Sequence, residues 1–230
     1  VNNYKGKNIL EVMAVEIIKV LSVLEKTHQP TMLEMLKDYT PFQRLVATLL
    51  SARTKDVTVI PVVKDLFQKY PGPKEILKLS DAELEKKLYR IGFYKVKTKH
   101  VKELCRILLE KFDGKVPDTL EEMTTLPGVG RKTANCMLSY VFNKPAIAVD
   151  VHVHRISNRL GWISTKTPEE SEERLMAIVP RDSWNKVNML LVDHGQRICL
   201  PINPKCKECP VLKYCEFGKR RFTSSRSHIA

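Results

Sequence analysis

Lys132 and Asp150 lie eighteen residues apart, and four cysteines cluster near the C-terminus; these are the side chains whose types could carry chemistry. Lys132 lies in Leu126-Pro127-Gly128-Val129-Gly130-Arg131-Lys132-Thr133-Ala134, and Asp150 in Ala148-Val149-Asp150-Val151-His152. A neutral amine can attack an electrophilic carbon, and a carboxylate can steady positive charge that develops there. A lysine just inside a helix has its charge opposed by the helix dipole, and partial burial would lower its pKa further. On residue type alone, Lys132 reads first as a surface lysine and Asp150 as a plain N-cap, where aspartate is favoured. The cysteines Cys199, Cys206, Cys209 and Cys215 follow the spacing C-x6-C-x2-C-x5-C. Four thiolates in so short a loop can surround one metal centre, either zinc or an iron–sulfur cluster.

The elements that must position these groups are helical. Pro127 cannot continue the helix before it, and Gly128 and Gly130 permit a tight hairpin that side chains would block. Backbone N–H groups of the hairpin and of the next helix then face an anion, with the dipole in their favour. A phosphate-gripping hairpin beside a lysine and a carboxylate points to an enzyme working on a nucleic-acid backbone.

Apolar periodicity predicts a helix over Ile9–Leu24, with Val12, Val15, Ile18, Val20 and Leu21 on its apolar face. Thr40-Pro41 opens another, striped by Phe42, Leu45, Val46, Leu49 and Leu50. After the loop Ser51–Lys55, Asp56 is expected to cap a helix carrying Ile60, Val63, Leu66 and Phe67. Ser80 with Glu83 forms a capping box. Val101, Leu104, Cys105, Leu108 and Phe112 stripe a helix that ends at Gly114, and Thr119 with Glu122 caps the short helix before the hairpin. Beyond it come helices from Lys132, from Asp150 to Leu160, after Thr167-Pro168, and from about Ser183 to Leu191. About ten helices with short connections make an all-α protein.

The 39 Lys and Arg residues outnumber the 26 Asp and Glu, giving a net charge of +13 and a pI near 9.5. Such an excess suits a polyanionic partner. No apolar run approaches the roughly 20 residues of a membrane-spanning helix, and the polar start Val1-Asn2-Asn3-Tyr4-Lys5 does not read as a secretory signal. Six cysteines without such a signal suit a reducing compartment, where clustered cysteines are more often metal ligands than disulfides. Cys105 and Cys136 fall in helical patterns as buried, inert residues.

The chain resembles the helix-hairpin-helix DNA glycosylases, and among them the endonuclease III branch, from roughly Thr40 to Cys215. Four stretches carry the resemblance: Leu126–Ala134, Ala148–His152, Leu50–Asp56 and the cysteine cluster. It implies an all-α fold of two helical domains: a six-helix barrel with the helix-hairpin-helix at residues 32–144, and residues 1–31 with 145–230 forming a domain that holds a [4Fe–4S] loop, the active cleft lying between them. It implies a bifunctional DNA glycosylase and AP lyase acting on oxidised pyrimidines in duplex DNA. Lys132 would displace the damaged base at C1′ and form a Schiff base that permits β-elimination. Asp150 would assist the lysine and steady charge at the sugar. Cys199, Cys206, Cys209 and Cys215 would hold the [4Fe–4S] cluster, whose loop presents Lys205 and Lys207 to phosphate.

Gly128, Gly130 and Arg131 would contact the DNA backbone, Arg53 would fill the gap left by an extruded nucleotide, and Phe93 would wedge beside it. The implied partner is double-stranded DNA with a damaged base or abasic site, bound by a monomer without a membrane, in the cytoplasm or nucleoid, or in the nucleus of a eukaryote. His152 and His154 read as structural or phosphate-facing. The chain departs from the pattern at Arg53, where the family usually has glutamine; arginine has five donors and no acceptor. Adenine glycosylases carry a catalytic glutamate where this chain has Thr48, and mismatch thymine glycosylases lack the lysine at Lys132. Arg53 keeps mismatch activity as the alternative within the class. Outside it, the alternative is a non-catalytic helix-hairpin-helix binding module with a structural metal, which would need neither Lys132 nor Asp150.

Overall fold

A computed structural model describes residues 8–223, which form α-helices and three short 3-10 turns with no strand among the described residues. The chain divides into two compact units, residues 32–144 and residues 1–31 with 145–230.

The split unit begins with α1 (Ile9–Glu25), capped by Asn8, whose side chain accepts from the Leu10 N–H. Its buried face is Ile17, Val20, Leu21 and Leu24, whereas Ile18 is 43% exposed. The apolar stripe therefore lies about a quarter-turn from the face expected around Ile18. Two adjacent isoleucines leave the phase of a helix open, and packing chose Ile17.

The continuous unit holds α2 (Met32–Met35), α3 (Pro41–Ser51), α4 (Asp56–Lys69), α5 (Pro73–Leu77), α6 (Asp81–Leu88), α7 (Tyr94–Lys111), α8 (Leu120–Thr124) and α9 (Arg131–Tyr140). Helix α3 packs against α4, α7 and α9. Its start is set locally, since Thr40 and Gln43 exchange side-chain and backbone bonds as a capping box, with Pro41 at the first position. Leu45, Val46, Ala47 and Leu50 are wholly buried on it, and each large apolar side chain removed from water contributes roughly 1.5–3 kcal/mol. Arg44, also buried, donates to the Leu33 and Tyr140 carbonyls and ties α2 and α9 to α3. Lys55, not Asp56, is the cap residue of α4; Asp56 occupies the first helical position, where its charge favours the dipole. Gly114 closes α7 at φ 74°, its N–H reaching back to the Leu108 carbonyl at 2.8 Å.

The split unit resumes with α10 (Val151–Leu160), α11 (Pro168–Ile178), α12 (Trp184–Arg197) and α13 (Glu216–Thr223). Helix α1 packs on α11 and α12, and α10 packs on α11, α12 and α13. Val153, Ile156 and Leu160 of α10 meet Val187, Leu190 and Leu191 of α12 in one core. Helix α12 runs six residues beyond the Leu191 expected from its apolar pattern. Its last turn is polar yet held, because Arg197 grips Asp193 four residues earlier at 2.6 Å, and Asp193 also accepts from the Gln29 N–H at 3.1 Å. Gly195 permits the close approach of α10, since a Cβ there would come within 2.6 Å of His152.

Candidate functional site

The hairpin is built as its residues dictate. Helix α8 ends at Thr124, the Val129 N–H closes on the Leu126 carbonyl at 3.0 Å, and Gly128 adopts φ 74°. Only glycine fits at Gly128 on two counts: the left-handed backbone, and a Cβ that would lie 2.8 Å from His100 Nδ1. Leu126 and Val129 are buried beneath the turn, while Gly128 and Gly130 are exposed. Gly130 precedes α9 without any side-chain cap, and a Cβ on it would meet nothing within 4 Å. The N-terminal turn of α9 thus opens outward, the arrangement that suits a phosphate oxygen. Arg131 and Lys132 stand exposed on that turn, and Ala134 to Ser139 are buried behind them.

A second group lies in the same unit. Ser51 ends α3, and the chain turns through Arg53 at φ 55° and Thr54 before α4. Phe93, at φ 58°, is the cap residue of α7. Left-handed backbone at a non-glycine residue costs on the order of 1–3 kcal/mol and concentrates at functional turns. Both side chains point outward: Phe93 is 61% exposed, with the Arg53 guanidinium 5.5 Å from its ring centroid. Phe93 is therefore a surface side chain and no part of the core. Arg53, Phe93, Val96, Lys97, His100 and Gly128 line one groove that runs from this pair to the hairpin.

Lys97 had no place in the sequence reading. It is 6% exposed, and its Nζ donates to the Leu50 carbonyl at 2.8 Å and the Ala52 carbonyl at 2.5 Å. Burial lowers its pKa to about 8. The available signal was a lysine in register with the buried positions 101, 105 and 108 of α7. Thr48, where adenine glycosylases would carry a glutamate, is buried with its hydroxyl donating to the Arg44 carbonyl at 2.7 Å.

In the split unit, Asp150 caps α10 through one oxygen, Oδ1, which accepts from the His152 and Val153 N–H groups at 2.9 Å each. The extended segment before it is pinned along α12. Asn188, buried, donates to the Ala148 carbonyl at 2.7 Å, and Asn185 accepts from the Ala146 N–H at 3.3 Å. His154 bonds Ser171 at 2.7 Å, and His152 lies 3.1 Å from Arg155, so both histidines are engaged within the unit.

The four cysteines line one cavity together with Arg159, His194, Lys205 and apolar walls from Ile156, Leu160, Val211 and Phe217. Among the described residues no three His, Cys, Asp or Glu side chains close on a single point as around one ion; the sulfurs surround the cavity instead. Donors are directed at them: Arg159 reaches Cys199 Sγ at 3.3 Å and the Gly218 N–H reaches Cys215 Sγ at 3.4 Å. Burial pushes the Cys209 thiol up to about 11 and raises that of Cys215 as well. Thiolate there needs positive charge to offset burial, as a bound metal centre supplies. A donor set of four sulfurs and N–H groups facing them fits a thiolate-ligated centre. Cys105 and Cys136 are buried elsewhere, Cys105 with its pKa raised to about 12 by burial. Lys205 and Lys207 are exposed at the 3-10 turn Cys206–Glu208.

Residues 46–181 match the HhH-GPD superfamily base excision DNA repair protein family. This chain belongs to that superfamily. The matched region contains the hairpin Leu126–Gly130 between α8 and α9. It is 49% identical over 185 residues to the endonuclease III of Thermotoga maritima, covering 80% of this chain and 87% of that one. A trapped endonuclease III–DNA covalent intermediate has a TM-score of 0.80 at 36% identity, covering 91% of this chain and 98% of that one. A thermostable thymine-DNA glycosylase has a TM-score of 0.81 at 26% identity, with coverage of 91% and 98%. Among the described residues no helix is long and apolar enough to cross a membrane.

Proposed function

We propose that this HhH-GPD chain is a DNA glycosylase and AP lyase of base excision repair that removes oxidised pyrimidines from duplex DNA. The observation that carries the reading is the hairpin Leu126–Gly130 delivering an exposed lysine, Lys132, on the first turn of α9. Its likeness to endonuclease III supports the same chemistry, since one such enzyme has been trapped covalently on DNA.

The hairpin amides and Arg131 bind the DNA backbone. The Lys132 amine, unprotonated, attacks C1′; the bond from C1′ to the base breaks, and the base leaves with a proton. The sugar ring opens to a Schiff base between Lys132 and C1′. Loss of a proton from C2′ then breaks the C3′–O bond and releases the 3′ phosphate as leaving group. Water hydrolyses the Schiff base and returns the lysine. Asp150, with one oxygen fixed by two backbone N–H groups, keeps its other oxygen for steadying positive charge at the sugar. Arg53 and Phe93 occupy the space left by the extruded nucleotide.

Cys199, Cys206, Cys209 and Cys215 hold a [4Fe–4S] cluster. Bound there, the cluster supplies a rigid structural centre for the loop that carries Lys205 and Lys207 to phosphate. Zinc is the competing metal for four thiolates, and metal and sulfide content separates the two. The enzyme works as a monomer on DNA containing a damaged base or abasic site.

The test is borohydride trapping on a duplex containing thymine glycol. A covalent protein–DNA adduct with strand cleavage is the expected result. Base release without any trapped adduct on this or a G·T-mismatched duplex would instead indicate a monofunctional enzyme. Binding with neither product would leave only the binding module.

A further inference from the structure

Lys97 sits in the first turn of α7, but its ammonium is turned inward to the loop after α3. An ammonium has three donors, and three oxygens receive them: the Leu50 carbonyl at 2.8 Å, the Ala52 carbonyl at 2.5 Å and Thr54 Oγ1 at 3.4 Å. These acceptors bracket Arg53 on both sides. Among the described residues no carboxylate pairs with this buried amine. Thr54 Oγ1 also accepts from the Gly92 N–H at 3.0 Å, and a Cβ at Gly92 would come within 3.0 Å of the Arg53 carbonyl. The turns 50–54 and 91–93 are thus locked together through one lysine and one threonine. Each projects a left-handed residue outward, Arg53 and Phe93, and the two stack.

A lysine that merely capped the C-terminus of α3 would need only the last carbonyls of that helix. Lys97 also reaches past Arg53 to Thr54, which links the loop to the turn carrying Phe93. We propose that Lys97 is a positioning residue for nucleotide extrusion, holding Arg53 and Phe93 as one preformed wedge through the Leu50 and Ala52 carbonyls and the Thr54 hydroxyl. The proposal rests on the reading of Arg53 and Phe93 as the pair that fills the gap in the duplex. A preformed wedge opens the stack without first ordering a loop, whereas a loosened one leaves single-stranded substrate, which has no stack to open, much less affected.

The experiment measures two things on the full chain. One is the ratio of strand-cleavage rates on duplex and single-stranded abasic oligonucleotides. The other is the fluorescence gain of a 2-aminopurine placed beside a thymine glycol in duplex. Lys97→Met keeps the unbranched stem of the side chain to within one atom and removes the ammonium. It is expected to lower the duplex-to-single-strand ratio about tenfold and to suppress the fluorescence gain, within the roughly hundredfold that a misplacement of about 1 Å can cost. A ratio within about twofold of the parent, or parallel loss on both substrates as from general destabilisation, would overturn the proposal.

Should Lys97→Met fail to fold, Thr54→Val decides instead, since it removes only the shared hydroxyl; a fallen ratio supports the proposal and an unchanged one rejects it. Arg53→Ala and Phe93→Ala separate the underlying reading. If both keep the full fluorescence gain, the wedge itself is rejected and the proposal with it. If both lose the gain while Lys97→Met keeps it, the wedge stands and Lys97 alone is rejected.

Discussion

The guanidinium of Arg159 donates to the sulfur of Cys199 at 3.3 Å. The same side chain reaches the Leu200 and Pro201 carbonyls at 2.7 and 2.9 Å and lies 4.7 Å from the centre of the Phe217 ring. One turn earlier, Arg155 donates to the Cys199 carbonyl at 2.9 Å. Two arginines of α10, the helix that Asp150 caps, therefore hold the cysteine loop from Cys199 to beyond Cys215.

Arg159→Met should weaken retention of the bound centre while leaving the fold in place. It removes a charged donor to sulfur and two carbonyl contacts, on the order of 1–3 kcal/mol at a half-buried site. Iron and acid-labile sulfide per chain should fall on gel filtration, and visible absorbance should bleach several-fold faster under a chelator. Arg159→Lys, with one point charge in place of a planar fork, should lie between. Metal content equal to that of the parent would mean that Arg159 does not support the centre.

The centre itself should be iron–sulfur. Purified protein should be yellow-brown, with iron and sulfide in similar amounts, and Cys209→Ala should lose both. Stoichiometric zinc without sulfide in anaerobically prepared protein would reject this assignment.

Lys132→Gln should abolish borohydride trapping and strand cleavage, because the covalent intermediate passes through its amine. Binding to lesion-containing duplex should weaken by only on the order of 1 kcal/mol, the scale of one exposed charge. Asp150→Asn retains an oxygen for the His152 and Val153 N–H groups and caps about as well, so its melting midpoint should hold while base excision slows. Asp150→Ala should lose the cap too, about 1 kcal/mol of stability. Single-turnover rates and binding constants on one duplex check all three variants.

Binding should be salt-sensitive and largely indifferent to sequence. A net charge of +13 and an open hairpin point to phosphate contacts that release counterions. Lys205→Ala or Lys207→Ala should weaken binding to any duplex and lower the slope of log affinity against log salt by about 1 each. An unchanged slope would remove that lysine from the interface.

Lys97 should also leave a signature in stability against pH. Its folded pKa is about 8, below the usual lysine value, because it is buried. Below that pH both states hold the proton; from there up to the unfolded value of roughly 10.4, the unfolded state holds more of it. Stability contributed by Lys97 therefore rises with pH through this window. Urea unfolding at pH 7, 9 and 10 should show the parent gaining on Lys97→Met as pH increases, and an unchanged difference would mean the amine stays charged in its site.

Much of this protein is local and was therefore readable in order along the chain. The Thr40–Gln43 and Ser80–Glu83 boxes and the Thr119 and Thr167 caps form between residues three apart, so their helix starts follow from residue type. The hairpin at Gly128 and the close cysteine spacing belong to the same class, and with Lys132 and Asp150 they carried the family resemblance. Composition, in contrast, nowhere marks where the chain passes from one compact unit to the other. Burial phase was not readable either, since Ile17 and Ile18 are alike until α1 meets α12. Nor were the roles of Lys97, Arg155, Arg159 and Asn188, which look like ordinary polar positions on helices. Each acts on backbone carbonyls forty or more residues away in sequence. A carbonyl accepts the same bond whatever side chain its residue bears, so no residue type announces these partners, and only the folded chain brings donor and acceptor together.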